Sequence, residues 1–111
     1  MSISLYLKGG GMDINIMEQY KKAIDFTGDL SKGQKIIMNN IVSFGQNKGV
    51  TVETIKKVTD ISRQAASVHL QRLMKRNFVF RTKDRIYKYI ANEEKLNELL
   101  KEYLIAEKLK K

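Results

Sequence analysis

The chain has 111 residues, of which 42% are hydrophobic and 30% charged, and its formal net charge at pH 7 is +9. This composition is typical of a globular domain and excludes a disordered chain. The absence of cysteine excludes disulfides, Cys-ligated zinc and iron–sulfur sites, and a single histidine, His69, cannot by itself form a metal centre. We therefore expect no metal and no cofactor.

No apolar run reaches the roughly 20 residues that a membrane-spanning helix needs, and the first residues do not resemble a signal peptide. We expect a cytoplasmic protein without membrane contact. The run KGGG at positions 8–11 is followed at once by Met12. Either residues 1–12 are a flexible leader, or residues 1–11 are not native and translation starts at Met12 behind a translated ribosome-binding site. Residues 13–111 are predicted to form a single domain.

Three helices are predicted in the first half of the chain from apolar residues at three- and four-residue spacing. The first begins at Asp13 and ends near Gly28, the second is capped by Ser31 and ends near Gly45, and the third is short and is capped by Thr51. The residues of the second and third helices that we expect to face the core are Ile36, Ile37, Ile41, Phe44, Val52, Ile55 and Val58.

A fourth helix is predicted to begin at the Ser62 cap and to end near Asn77, a residue type that tolerates the left-handed backbone conformation. The apolar period then changes from 3.6 to 2, which predicts a β-hairpin whose strands are joined by the polar residues 82–85. Asn92 caps the last helix. The predicted fold is mainly α with a β-hairpin, in the order α-α-α-α-β-β-α.

Positive charge is concentrated between Ile61 and Ala91. This stretch contains a single acid, Asp84, and so carries a net charge of +7. Its basic residues are Arg63, Arg72, Lys75, Arg76, Arg81, Lys83, Arg85 and Lys88. Such clustering favours a phosphate backbone as partner, because each neutralised phosphate releases counterions. The alternative is a basic surface that serves only solubility.

The segment ISRQAASVHLQRLMKRNFV, residues 61–79, resembles the recognition-helix signature of bacterial ArsR- and MarR-type regulators. That signature reads Ser-x-x-x-x-Ser-x-His-Leu-x-x-Leu, and the residues that match it in register are Ser62, Ser67, His69, Leu70 and Leu73. The run Asn-Phe-Val at 77–79 takes the place of the usual Gly-Leu-Val. The resemblance implies a winged helix-turn-helix that binds double-stranded DNA, with His69 packed between helices.

The fourth helix has an apolar face, formed by Ala66, Leu70 and Leu73, and an opposite face rich in amides and hydroxyls. Such a face suits the major groove, where glutamine can pair with adenine and arginine with guanine. The residues of this helix that we expect on DNA are Ser62, Arg63, Gln64, Ser67, Val68, Gln71, Arg72 and Lys75.

The hairpin is interpreted as the wing, with its basic residues on phosphates or in the minor groove beside the fourth helix. The wing residues that we expect on DNA are Arg81, Lys83, Arg85 and Lys88. We expect Phe78, Phe80 and Tyr87 to anchor the hairpin to the core. The alternative is that these aromatic residues stack on single-stranded nucleic acid.

The last helix carries an apolar stripe that is wider than a monomer of this size needs. Its residues are Leu96, Leu99, Leu100, Tyr103 and Leu104. We expect this stripe to form a homodimer, which would place two recognition helices about 34 Å apart on a palindrome. The alternative is that the helix folds back on the chain's own core.

The sequence therefore favours a dimeric, sequence-specific DNA-binding protein that acts as a transcriptional repressor. We do not expect an enzyme, because no Gly-rich phosphate loop precedes a helix. Metal sensing of the ArsR type is not expected without a cysteine pair. Two alternatives stay open: a plasmid or phage DNA adaptor for partition or replication, which would bind a second protein, and a winged-helix module that binds protein only.

Overall fold

The computed structural model describes residues 14–44, 48–83 and 85–110. Within these ranges the chain forms α1 (Ile14–Phe26), α2 (Lys32–Phe44), α3 (Val52–Val58), α4 (Arg63–Lys75), β1 (Val79–Lys83), β2 (Tyr87–Ala91) and α5 (Glu93–Leu109). This mainly helical order with one antiparallel hairpin confirms the predicted fold. The leader predicted for residues 1–12 lies outside the described residues.

The core is built around α2, which packs against α1, α3, α4 and β2. Side chains from every helix meet there and exclude water from each other's apolar surface. The core residues that have no exposed surface are Ala23, Ile24, Ile37, Met38, Ile41, Val42, Ile55, Ala66, Leu70, Leu73 and Leu96. The predicted inward face of the fourth helix is confirmed.

Three residues predicted to face the core do not do so. Ile36, Phe44 and Val58 are 38%, 61% and 53% exposed. In α2 the buried stripe runs through Ile37 and Ile41 but widens toward Met38 and Val42, on the side away from Ile36. Phe44 and Val58 are the last residues of their helices, where the core no longer covers them.

The hairpin is tied to the start of α3 by a short bridge that the sequence pattern did not predict. The Val50 N–H donates to the Tyr89 carbonyl at 3.0 Å, and the Tyr89 N–H donates to the Val50 carbonyl at 2.8 Å. Val50 therefore pairs with the outer side of β2, whose other side pairs with β1. The bridge fixes the hairpin relative to the third and fourth helices.

Helices α1 and α5 lie side by side and run in the same direction. The Tyr20 hydroxyl donates to the Asn97 Oδ1 at 2.5 Å, and further along both helices the ring of Phe26 meets the ring of Tyr103 edge-on at 5.5 Å. Burial raises the pKa of the Tyr20 hydroxyl above its ordinary value, and the charge of Glu93 raises it further.

This packing corrects part of the predicted dimer surface. Leu96 and Leu99 are 0% and 3% exposed, because they belong to the core of their own chain. Leu100 and Tyr103 are half-buried against the same core, and Leu104 is exposed. Folding back on the core therefore accounts for the first half of the stripe and leaves its second half to solvent.

The end of α4 is shaped by a turn at Asn77 that directs the chain into the hairpin. The Phe78 N–H donates to the Leu73 carbonyl at 2.9 Å, and the Asn77 N–H donates to the Met74 carbonyl at 3.0 Å. This pair of hydrogen bonds is the Schellman motif, which needs a left-handed residue. Asn77 has a φ of 64°, as predicted. The Asn92 side chain donates to the Asn77 carbonyl at 2.8 Å and so joins α5 to the same turn.

Substitutions at Asn77 test this turn. Asn77→Ala should lower the free energy of unfolding by about 1 kcal/mol, because a Cβ disfavours the left-handed conformation. Asn77→Gly should keep or raise the free energy of unfolding, since glycine adopts positive φ without steric cost. Urea unfolding followed by circular dichroism measures both changes. Equal stabilities of the two variants would contradict the role given to the left-handed residue.

Candidate nucleic-acid interface

Side-chain caps hold the beginnings of α3 and α4, and Thr59 holds the turn between the two helices. The Ser62 Oγ accepts the Ala65 N–H at 3.1 Å, and the Thr51 Oγ1 accepts the Thr54 N–H at 3.1 Å. Within the turn, the Thr59 hydroxyl donates to the Ile55 carbonyl at 2.7 Å and accepts the Ile61 N–H at 3.1 Å. Both predicted caps are present, and the turn fixes the angle between the two helices.

The outer face of α4 presents the residues that the sequence assigned to DNA contact. With Ala66, Leu70 and Leu73 in the core, the opposite face is left to solvent. The exposed residues of this set are Ser62, Arg63, Gln64, Val68, Gln71, Arg72 and Lys75, and Ser67 is half-buried. The structure therefore brings most of the predicted set to the side opposite the buried stripe, whereas Arg63, almost two full turns before Leu70, lies beside that stripe.

An open depression of about 650 Å³ follows the second half of this face. It is lined by Val68, Gln71, Arg72, Met74 and Lys75. Met74 was not among the predicted site residues, because its position on the helical wheel borders the core stripe. An apolar floor with polar and basic edges can contact a thymine methyl group and base-edge acceptors together.

Arg63, the first residue of α4, forms a salt bridge with Glu53 in the first turn of α3. Both side chains remain at least half exposed. Sequence reasoning did not identify Glu53, since its nearness to Arg63 depends on the angle between the two helices. The guanidinium predicted to read a base is thus already paired in the protein alone.

Arg76, a member of the basic cluster, is also engaged within the chain. Its guanidinium donates to the Asp29 carbonyl at 2.7 Å, and it lies 5.0 Å from the centroid of the Phe78 ring. These contacts tie the end of α4 to the segment between α1 and α2. A structural role within the chain therefore explains Arg76, without a contact to DNA.

The wing carries two cations on one aromatic ring. The Arg81 guanidinium lies 4.1 Å from the centroid of the Tyr87 ring, and the Lys83 Nζ lies 5.3 Å from it. Register explains the arrangement, because Lys83 pairs with Tyr87 across the hairpin and side chains two residues apart share a face. The cation–π contacts orient both charges on that face.

The remaining basic residues of the wing lie elsewhere. Arg85 is exposed in the connection between the strands. Lys88 pairs with Thr82 and therefore lies on the other face of the hairpin from Arg81 and Lys83. The structure does not bring Lys88 together with the other predicted wing residues.

The prediction that three aromatic residues anchor the wing holds only for Phe78, which is 4% exposed. Phe80 and Tyr87 are 52% and 45% exposed, so the prediction is wrong for these two. Val79 and Tyr89 are buried in their place, because they face the core at the base of the hairpin. Beyond this base the hairpin extends past the core, which leaves the later aromatic residues in solvent.

A profile of the MarR family matches residues 29–85, which is just over half of the chain and runs from the segment between α1 and α2 to the tip of the wing. The chain belongs to the MarR family. Members of this family are winged-helix transcription regulators and not enzymes. A comparison with curated proteins found no match, and neither did a comparison with solved structures. No helix in the described ranges is long and apolar enough to cross a membrane.

His69 of this MarR-family protein packs against α2. A Cβ atom added to Gly33 would lie 2.5 Å from the His69 Nε2, so the absence of a side chain at Gly33 makes room for the imidazole ring. No group of three histidine, cysteine, aspartate or glutamate residues suited to a metal occurs among the described residues. The imidazole ring of His69 therefore has a packing role between α2 and α4.

A double-mutant cycle on Gly33 and His69 tests this contact. Gly33→Ala should lower the free energy of unfolding by about 1–3 kcal/mol, since the new methyl group overpacks the site. In a His69→Ala background the same change should be neutral or raise stability by up to about 1 kcal/mol, because alanine favours helix more than glycine does. Urea unfolding of the four proteins measures the coupling. The same loss in both backgrounds would show that the ring is not packed there.

Proposed function

We propose that this MarR-family protein binds double-stranded DNA sequence-specifically and acts as a dimeric transcriptional repressor. The observation that carries the proposal is the division of α4 into a fully buried apolar face and an exposed face of amides, hydroxyls and cations. A helix held rigidly by its buried face can insert the exposed one into the major groove without further ordering.

The chemistry of the exposed face fits base edges and phosphates at different points along α4. The amides of Gln64 and Gln71 can pair with adenine, and the half-exposed Val68 can contact a thymine methyl group. Arg72 and Lys75, further along the helix, provide charges for the flanking phosphates. The proposal thus assigns base reading to the amides and affinity mainly to the cations.

The wing supplies a second contact with the phosphate backbone. Arg81 and Lys83 are oriented by the Tyr87 ring, and Arg85 extends from the tip. The Schellman turn at Asn77 connects this hairpin directly to the end of α4, so the two contacts keep a fixed spacing. Such contacts raise affinity for all sequences alike and make it dependent on salt.

A homodimer through the second half of α5 completes the proposal. Leu104, Ile105 and Leu109 are 49%, 52% and 80% exposed, although they are apolar. Phe26 is 47% exposed and lies beside Tyr103, so the apolar surface continues onto the end of α1. A second copy that covers this surface would give two α4 helices for a palindromic site.

The family match favours a regulator over a plasmid partition or replication adaptor and offers no support for a second protein partner. Footprinting distinguishes these roles. A single short palindrome supports the repressor, whereas an array of repeats would support a partition adaptor and no protection would support a protein-binding module. We propose a cytoplasmic location because a repressor must be in the compartment that holds its DNA.

Selection of bound duplexes from a random pool, followed by binding titrations, tests the division between reader and wing. Gln64→Ala should make the free energy of binding to the preferred duplex less favourable by about 1–3 kcal/mol and relax the preference at one base pair. Arg85→Ala should weaken binding to every duplex alike and reduce the salt slope by about 1. If the wild-type protein bound no duplex even at low ionic strength, the proposed function would be wrong.

The dimer is tested by placing a charge on its proposed surface. Leu104→Asp should convert the protein to a monomer, because an unpaired carboxylate in an apolar interface is costly to bury. Val58→Asp is the matched control, since Val58 is a similarly exposed apolar residue outside α5. Sedimentation equilibrium should find a dimer for the wild type and the control. A wild-type protein that stays monomeric at tens of micromolar contradicts this part of the proposal.

A further inference from the structure

The salt bridge between Glu53 and Arg63 lies at the point where the candidate recognition helix begins. Glu53 is the second residue of α3, and Arg63 is the first residue of α4, directly after the Ser62 cap. The bridge therefore joins the beginnings of the two helices of the helix-turn-helix. With side chains 50% and 60% exposed, both partners face solvent and can be reached by a phosphate or a base.

Arg63 differs in this respect from Arg72 and Lys75, the other exposed cations of α4. Within the described ranges, Arg72 and Lys75 have no carboxylate within salt-bridge distance, whereas Arg63 has one. The positive charge at the start of the helix is thus neutralised in the free protein, and the charges further along are not. Glu53 is the acid that makes this difference.

We propose that Glu53 is a specificity-determining residue of the DNA-binding surface, and the proposal rests on the function proposed above. Glu53 holds the Arg63 guanidinium and prevents it from binding phosphates indiscriminately. At the preferred site one edge of the guanidinium stays bound to the Glu53 carboxylate, and the remaining N–H groups donate to DNA. The acid therefore weakens non-specific complexes more than the specific one.

The geometry of a guanidinium makes this selection possible. Arginine has five N–H donors in a planar fork, so one edge can stay on a carboxylate while the other donates to guanine or a phosphate oxygen. Only a DNA position that matches the held orientation can use the free edge. Elsewhere the carboxylate must be displaced or must lie close to phosphates, which repel it.

The stability of the fold does not depend on this bridge. Exposed ion pairs contribute little to the free energy of folding, because water and salt screen them and two long side chains lose freedom. A substitution at Glu53 therefore changes the binding surface while leaving the protein folded. Thermal unfolding of each variant should stay cooperative and close to that of the wild type, with at most a small loss for Glu53→Gln because Glu53 also lies in the first turn of α3, where the helix dipole favours an acid. This is verified before binding is compared.

The test compares Glu53→Gln with Asp60→Asn. Asp60 is an exposed acid in the turn between α3 and α4, so the control changes the net charge equally without releasing Arg63. Binding is measured on the preferred duplex selected above and on a random-sequence duplex, at several salt concentrations. Glu53→Gln should tighten binding to the random duplex on the order of tenfold at 0.1 M salt and steepen its salt slope by about 0.9.

Affinity for the preferred duplex should rise much less in Glu53→Gln, so the ratio of specific to non-specific affinity should fall. Asp60→Asn should raise both affinities by the same small factor and leave the ratio unchanged. In an Arg63→Ala background, Glu53→Gln should have no more effect than Asp60→Asn has, because the acid acts through the guanidinium.

Two results would overturn the proposal while leaving the proposed function intact. One is an equal effect of Glu53→Gln and Asp60→Asn on both duplexes. The other is an effect of Glu53→Gln that persists in full without Arg63. Failure of the wild-type protein to bind any duplex would instead overturn the proposed function, and this inference with it.

Discussion

Burial of one face of α4 is the constraint on which the rest of the molecule depends. Ala66, Leu70 and Leu73 are completely enclosed by side chains from the surrounding helices and the base of the hairpin. A helix with 3.6 residues per turn that buries this stripe must turn the opposite side to solvent. The position of the amide- and cation-rich face is therefore set by the core.

Both ends of α4 are also fixed, which gives the exposed face a defined position. The Ser62 cap and the Thr59 turn set its beginning relative to α3. The Schellman turn at Asn77 sets its end relative to the hairpin, and the Val50–Tyr89 bridge ties the hairpin back to the start of α3. The helix-turn-helix and the wing thus form one connected frame. Such preorganisation lowers the entropy cost of binding.

The positive charge of the chain is not equally available to a partner. Arg76 is tied to the backbone near Asp29, and Arg63 is paired with Glu53. By contrast, Arg72 and Lys75 have no carboxylate partner among the described residues. A count of charges along the sequence predicts a basic surface correctly but cannot say which charges are free. Within the basic cluster of residues 61–91, the cations that have no carboxylate partner in the described part of the chain include Arg72 and Lys75 on α4 and Arg81 and Lys83 on the wing.

The sequence by itself determined what depends on neighbours a few residues apart: the helices, their caps, the left-handed Asn77 and the division of α4 into two faces. Tertiary structure decided the rest. It covered Leu96 and Leu99 with the chain's own core, left Phe80 and Tyr87 in solvent, and brought Glu53 to Arg63. Local hydrogen bonds and periodicity depend on residues that are close together in the sequence. The covering of an apolar side chain or the pairing of a charge depends instead on distant segments that pack around it.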